Sequence, residues 1–66
     1  MTADVTKLKI TIANNCIKIC DLQKKANIPR PTLNNVLSGR SVRPATLGKV
    51  ARALNVDVRE IMEVEG

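Results

Sequence analysis

The stretch from Ile19 to Ser38, Ile-Cys-Asp-Leu-Gln-Lys-Lys-Ala-Asn-Ile-Pro-Arg-Pro-Thr-Leu-Asn-Asn-Val-Leu-Ser, decides the fold. Ile19, Leu22 and Ala26 recur at i, i+3 and i+7, while Asp21, Lys24 and Lys25 face outward. That spacing predicts an amphipathic helix over Ile19 to Ala26. Asn27 then stands where the chain must turn sharply, and Asn is the best non-glycine residue for left-handed backbone. A second helix opens around Pro29 to Pro31, since a fixed φ suits a first turn. It runs to Leu37 or Ser38, and Gly39 stops it. Two short helices joined by a tight turn have the spacing of a DNA-binding helix-turn-helix.

The second helix separates into two faces when projected at about 100° per residue. Leu33, Val36 and Leu37 gather on one side, which is wholly aliphatic. Arg30, Pro31, Asn34, Asn35 and Ser38 gather on the other, with Thr32 on the flank. Arg can bond guanine O6 and N7 in bidentate fashion, and Asn can do the same at adenine N6 and N7. A polar helix face of this kind also occurs as ordinary solvated surface, so it gains weight only from the rest of the chain.

Working outward, a first helix is expected from about Asp4 to Asn14, with Leu8 and Ile12, and Ile10 and Ala13, at helical spacing. Its Thr and β-branched content gives weak propensity, and a strand is the alternative. Asn14-Asn15-Cys16 is a turn candidate through the tolerance of Asn for left-handed geometry. After the polar, basic loop Gly39 to Arg43, Pro44 opens a fourth helix with Leu47, Val50, Ala51 and Leu54 inward and Asn55 closing it. Asp57 and Glu60 form a capping-box pair for a fifth helix carrying Ile61. The expected fold is all-α, a compact bundle of five short helices, with residues 1–66 forming a single domain.

Composition narrows function. The chain has 66 residues and no Trp, Tyr or Phe, so recognition of single strands by base stacking is disfavoured. It has no His, the commonest general base and metal ligand. Cys16 and Cys20 alone fall short of a zinc site and are expected to serve as small hydrophobes in or near the core. No nucleophile–base pair can be assembled, so an enzyme is not expected, nor is a metal, cofactor or small-molecule ligand. The sequence shows no signal peptide or membrane-spanning run, so a cytoplasmic chain with reduced thiols is expected. Residues 1–56 carry ten Lys or Arg against Asp4 and Asp21, whereas residues 57–66 carry Arg59 against four carboxylates. A basic body with an acidic end fits a polyanionic partner on one face. A membrane-active cationic peptide fits less well, because no long helix has a single basic face.

From Leu8 to Met62 the chain resembles the Cro and phage-repressor (Xre-type) helix-turn-helix family. The likeness rests on Leu22, Ala26, Ile28 and Leu33 at the family's core spacing. It extends through the recognition segment IPRPTLNNVLSGR and the run TLGKVARALNV followed by a capped last helix. The resemblance implies a lambda-repressor-like DNA-binding domain, and a transcriptional regulator expected to be a repressor of phage, prophage or mobile-element type. It assigns Arg30, Asn34, Asn35 and Ser38 to groove-facing positions, beside which Pro31 lies by projection. It makes Thr32, Arg40, Ser41 and Arg43 candidates for phosphate contact. Lys18 sits at the family's usual Ser or Thr cap, where it could meet a phosphate as a charge. Asn27 replaces the usual turn glycine, Ile19 a common phosphate-contacting Gln, and Gln23 a small residue between the two motif helices, which should place Gln23 at an edge.

One recognition helix meets too few base pairs to specify a site in a genome. The resemblance implies a two-fold dimer on a pseudo-palindrome, with half-site centres roughly 34–36 Å apart. Val56, Val58, Met62 and Val64 exceed what Ile61 needs for anchoring, so they are the expected dimer contact, weak in solution and formed mainly on DNA. The competing reading within the same fold is an antitoxin or antirepressor-like protein whose main partner is another protein.

Overall fold

The computed structural model describes residues 1–63. Its helices are α1 (Val5–Asn15), α2 (Ile19–Ala26), α3 (Arg30–Leu37) and α4 (Pro44–Ala53), followed by one 3-10 turn, Val58–Glu60. Asp4 starts α1, its Oδ1 accepting from the Lys7 N–H at 3.1 Å. The segment is a helix and not a strand because Leu8 is fully buried and Ile12 half-buried on one stripe. Ile10 and Ala13, at the other expected spacing, face solvent. Helices α2 and α3 have the bounds that periodicity and the two prolines predict.

All four helices close in the same way, with paired hydrogen bonds of Schellman type around one residue of left-handed backbone. After α3 the Gly39 N–H donates to the Val36 carbonyl and the Arg40 N–H to the Asn35 carbonyl. The left-handed residues are Cys16, Asn27, Gly39 and Asn55, with φ of 51°, 55°, 77° and 60°. Asn27, Gly39 and Asn55 are the residues that turn chemistry selects. At the end of α1 the strained position falls on Cys16 and not on Asn14 or Asn15. The reason is the residue after it: Ile17 donates back to the Ile12 carbonyl, and both side chains pack on the core.

The fifth helix is corrected to a single 3-10 turn. Its start is as expected, with Asp57 Oδ1 accepting from the Arg59 N–H at 2.8 Å and Glu60 Oε2 from the Asp57 N–H at 3.2 Å. Extension fails because the chain at once becomes extended and pairs with residues before α1. Ala3 and Met62 form an antiparallel bridge, the Asp4 N–H donates to the Ile61 carbonyl, and the Glu63 N–H donates to the Thr2 carbonyl. These long-range bonds replace those of further helical turns.

Leu8, Leu22, Leu33, Val36, Leu47, Val50, Leu54 and Ile61 have essentially no exposed surface, and Ala3, Ala26, Ile28 and Ala51 complete the core. Helix α4 is the central plank, packing on α2 on one side and on the 3-10 turn on the other, while α1 packs on α3. No buried side-chain polar atom lacks a partner among the described residues. Cys16 and Cys20 are both exposed, contrary to their expected place near the core. Cys20 lies beside Lys24 on the outer side of α2, a position the packing of Leu22 and Ala26 leaves to solvent.

Candidate nucleic-acid interface

Burying Leu33 and Val36 fixes the rotation of α3 and turns its polar side outward. Arg30, Pro31, Asn34, Asn35 and Ser38 are all exposed, and Thr32 is half-buried at the flank. Among the described residues, the side chains of Arg30, Asn34 and Asn35 make no hydrogen bond or ion pair, so their donors and acceptors are free. Ser38 differs. Its hydroxyl donates to the Asn34 carbonyl at 2.8 Å and lies 3.3 Å from the Asn35 carbonyl, which leaves it only lone pairs to offer.

The loop after α3 turns one side chain inward and its neighbours outward. Val42 packs on the core, while Arg40, Ser41 and Arg43 are exposed. The Schellman closure fixes Arg40, and the Val42 N–H donates to the Met1 carbonyl at 2.8 Å. Gln23 is half-buried, as an edge position between α2 and α3 requires.

The helix starts are of two kinds. Helix α1 and the 3-10 turn are each capped by an Asp carboxylate. Helices α2, α3 and α4 begin at Lys18, Pro29 and Arg43 with no side-chain cap. The first N–H groups of a helix lack internal partners and carry a partial positive charge. Here each uncapped start also bears a cation, Lys18 or Arg43 at the cap itself and Arg30 as the first residue of α3; of the three, only α2 sets an acidic residue, Asp21, in its first turn. A cation there repels the helix dipole, whereas an anion would satisfy both. Sequence reasoning selected these residues individually; the three missing Ser, Thr, Asp or Asn caps were a further signal in the sequence.

The acidic end lies elsewhere in the chain. The Arg59 guanidinium hydrogen-bonds Asp57 Oδ1 at 3.1 Å and holds its carboxyl below the usual 3.8, while Asp57 holds Arg59 more firmly protonated. Val56, Val58 and Met62 are half-buried, each giving part of its surface to the core. Val64 lies outside the described residues. Among the described residues, no helix is long and apolar enough to cross a membrane.

Searches of curated proteins and of solved structures returned no match to this chain. The profile of the Cro/C1-type HTH DNA-binding domain matches residues 7–66, nearly the whole sequence, and includes every candidate contact residue named above. An exposed polar face on α3, set by a buried aliphatic one after a tight turn, is the arrangement a helix-turn-helix needs. The chain belongs to the Cro/C1-type helix-turn-helix DNA-binding domain family.

Proposed function

We propose that this protein is a sequence-specific transcriptional regulator, a repressor of phage, prophage or mobile-element type, that reads double-stranded DNA with α3. In this reading Arg30, Asn34 and Asn35 address base edges, and Pro31 lies against them in the groove. Ser38 accepts from a base amino group through its lone pairs. Lys18, Thr32, Arg40, Ser41 and Arg43 hold phosphates and set the register. The observation that carries the reading is the set of three uncapped helix starts, each bearing a cation. That arrangement is unfavourable in the free protein and favourable against a polyanion.

Two protomers are needed to specify a genomic site, so the operator is pseudo-palindromic with half-sites about one helical turn apart. Val56, Val58 and Met62 supply a contact that is small because each is already partly committed to the core. Pairing is therefore weak in solution and cooperative on DNA. Selection of bound sequences from random duplexes at low salt tests the function directly. A two-fold consensus is expected, with log K falling steeply against log salt as counterions are released. Absence of a consensus, or a flat salt dependence, would transfer the argument to a protein partner.

A further inference from the structure

Residues 1–4 lie between the two parts of the chain that follow α3 and the 3-10 turn. One edge of this segment is held by the C-terminal side: the Asp4 N–H donates to the Ile61 carbonyl at 2.8 Å, and the Thr2 carbonyl accepts from the Glu63 N–H at 2.9 Å. Thr2 Oγ1 adds a bond to Glu63 Oε2 at 3.0 Å. Ala3 is 3 % exposed, so the segment is seated in the core at that residue, while the Met1 side chain is exposed and only its carbonyl is held. Its other contacts go to the loop after α3. The Met1 carbonyl accepts from the Val42 N–H at 2.8 Å. The Ala3 carbonyl and the Val5 side chain close over Gly39.

We infer that residue 1 is a positioning residue for DNA binding, acting through its backbone carbonyl on the loop that carries Arg40, Ser41 and Arg43. This rests on the DNA-binding reading above. Among the described residues, the Val42 N–H, between Ser41 and Arg43, is the one backbone donor of that loop anchored across the fold. With it held, Val42 stays on the core and its two neighbours point outward. Without it, the loop keeps its closure at Gly39 and Arg40 and its entry into α4, but loses the fixed point between them. Phosphate contacts depend on such fixed points, because a loosely held arginine must be ordered when it binds. An acetyl group on the Thr2 nitrogen would place a carbonyl at the same covalent position as that of residue 1.

That equivalence supplies the experiment. The chain is short enough for chemical synthesis in three forms: residues 1–66, residues 2–66 with a free amine, and residues 2–66 with an acetylated Thr2. All three keep Ala3, the Asp4 cap and the bonds to Ile61 and Glu63. The free-amine form should bind a selected duplex roughly three- to tenfold more weakly than the full chain, the range a single net hydrogen bond supplies. Its salt slope should be shallower as phosphate contacts loosen. The acetylated form should recover both. Charge alone predicts the reverse order, since acetylation removes a positive charge from a protein that binds a polyanion. Equal binding by the three forms, or weaker binding by the acetylated form than by the free amine, would overturn the inference. Amide exchange at Val42 reads the same device without DNA, fast in the free-amine form and slow in the other two. Failure of the full chain to bind any duplex would count against the function; unchanged Val42 exchange would count against the positioning role.

Discussion

Gly39 is where α3, α1 and the loop to α4 meet, and Gly39→Ala is the sharpest test of how they fit. The residue has φ +77°, and a Cβ built there would lie 3.0 Å from Val5 Cγ2. Two penalties follow. Left-handed backbone at a residue with a Cβ costs about 1–2 kcal/mol. Carbon atoms rest at about 3.5–4.0 Å, so the contact demands a shift of several tenths of an ångström, with a cost on the order of 1 kcal/mol. Against these, Ala restricts the unfolded chain and returns about 0.4–1 kcal/mol. The net loss is about 1–2.5 kcal/mol, a large share of the stability of so small a domain. It corresponds to a fall in Tm of roughly 5–15 °C.

With no Trp, Tyr or Phe in the chain, the assay is far-UV circular dichroism through thermal and denaturant unfolding. Two companion variants separate the penalties. Gly39→Asn carries the same Cβ but tolerates left-handed backbone, so its difference from Gly39→Ala reads the dihedral cost. Gly39→Ala in a Val5→Ala background removes the opposing methyl and reads the contact. Wild-type stability in Gly39→Ala would refute the reasoning, as would identical losses for Ala and Asn with no relief from Val5→Ala.

Cys16→Gly removes a left-handed non-glycine residue that is exposed and contributes no core contact, so stability should rise by about 0.5–1 kcal/mol in denaturant unfolding. Arg30→Ala should weaken binding to the selected site by roughly 1–3 kcal/mol and relax its base preference, whereas Arg43→Ala should weaken cognate and scrambled duplexes alike; equal behaviour of the two would remove α3 as the reader. Lys18→Ser installs the missing cap on α2 and should stabilise the fold by about 1 kcal/mol while reducing affinity for duplex DNA. A gain or no change in affinity would contradict the phosphate role of Lys18. Asp57→Asn should lower stability at neutral pH and lose that effect in acid. The folded-state value lies below the usual 3.8, so the contribution is present above it and fades as pH falls through the folded value; a difference from wild type that persists at pH ~2 would contradict this.

The helix-turn-helix was legible because every signal in it is local and points one way. Its apolar period, the two prolines and the left-handed residues Asn27 and Gly39 all agree with the packing that follows. The exposed polar side of α3 was legible for the same reason, since Leu33 and Val36 fix the rotation of the helix. Signals set across the fold were not legible. Asn14 and Asn15 are better left-handed residues than Cys16, yet the turn falls where Ile12 and Ile17 can both reach the core. The Asp57 and Glu60 caps begin a helix correctly, but its length is decided by pairing with Ala3, far away in sequence. Ser38 lies on the exposed side of α3, where a base contact was expected, and only its rotamer shows that its proton is already used. The exposure of Cys20 was readable, because projection of α2 from Leu22 and Ala26 puts it beside Lys24. The general tendency of cysteine toward burial obscured that.

A fold that leaves three helix starts uncapped gives up stability it could have had. A missing cap typically costs about 1 kcal/mol, and a cation at the positive end of a helix adds roughly 0.3–1 kcal/mol more. For α2, α3 and α4 together, with Asp21 in the first turn of α2 offsetting Lys18, that is on the order of 4–5 kcal/mol, comparable with the stability of a small domain. The chain is not short of capping chemistry, since Asp4 and Asp57 are used where no anion is expected to bind. What offsets the deficit is a core of eight fully enclosed Leu, Ile and Val side chains and four regular helix closures, one of them on an unfavourable residue. Local rules broken together at three helix starts, each beside a cation, fit a surface shaped for a ligand and not for the isolated fold. The ligand that would relieve all three starts at once is a regularly spaced polyanion, and duplex DNA presents phosphates in that form. Binding and folding thus draw on the same three helix starts, and substitutions there should move stability and DNA affinity in opposite directions.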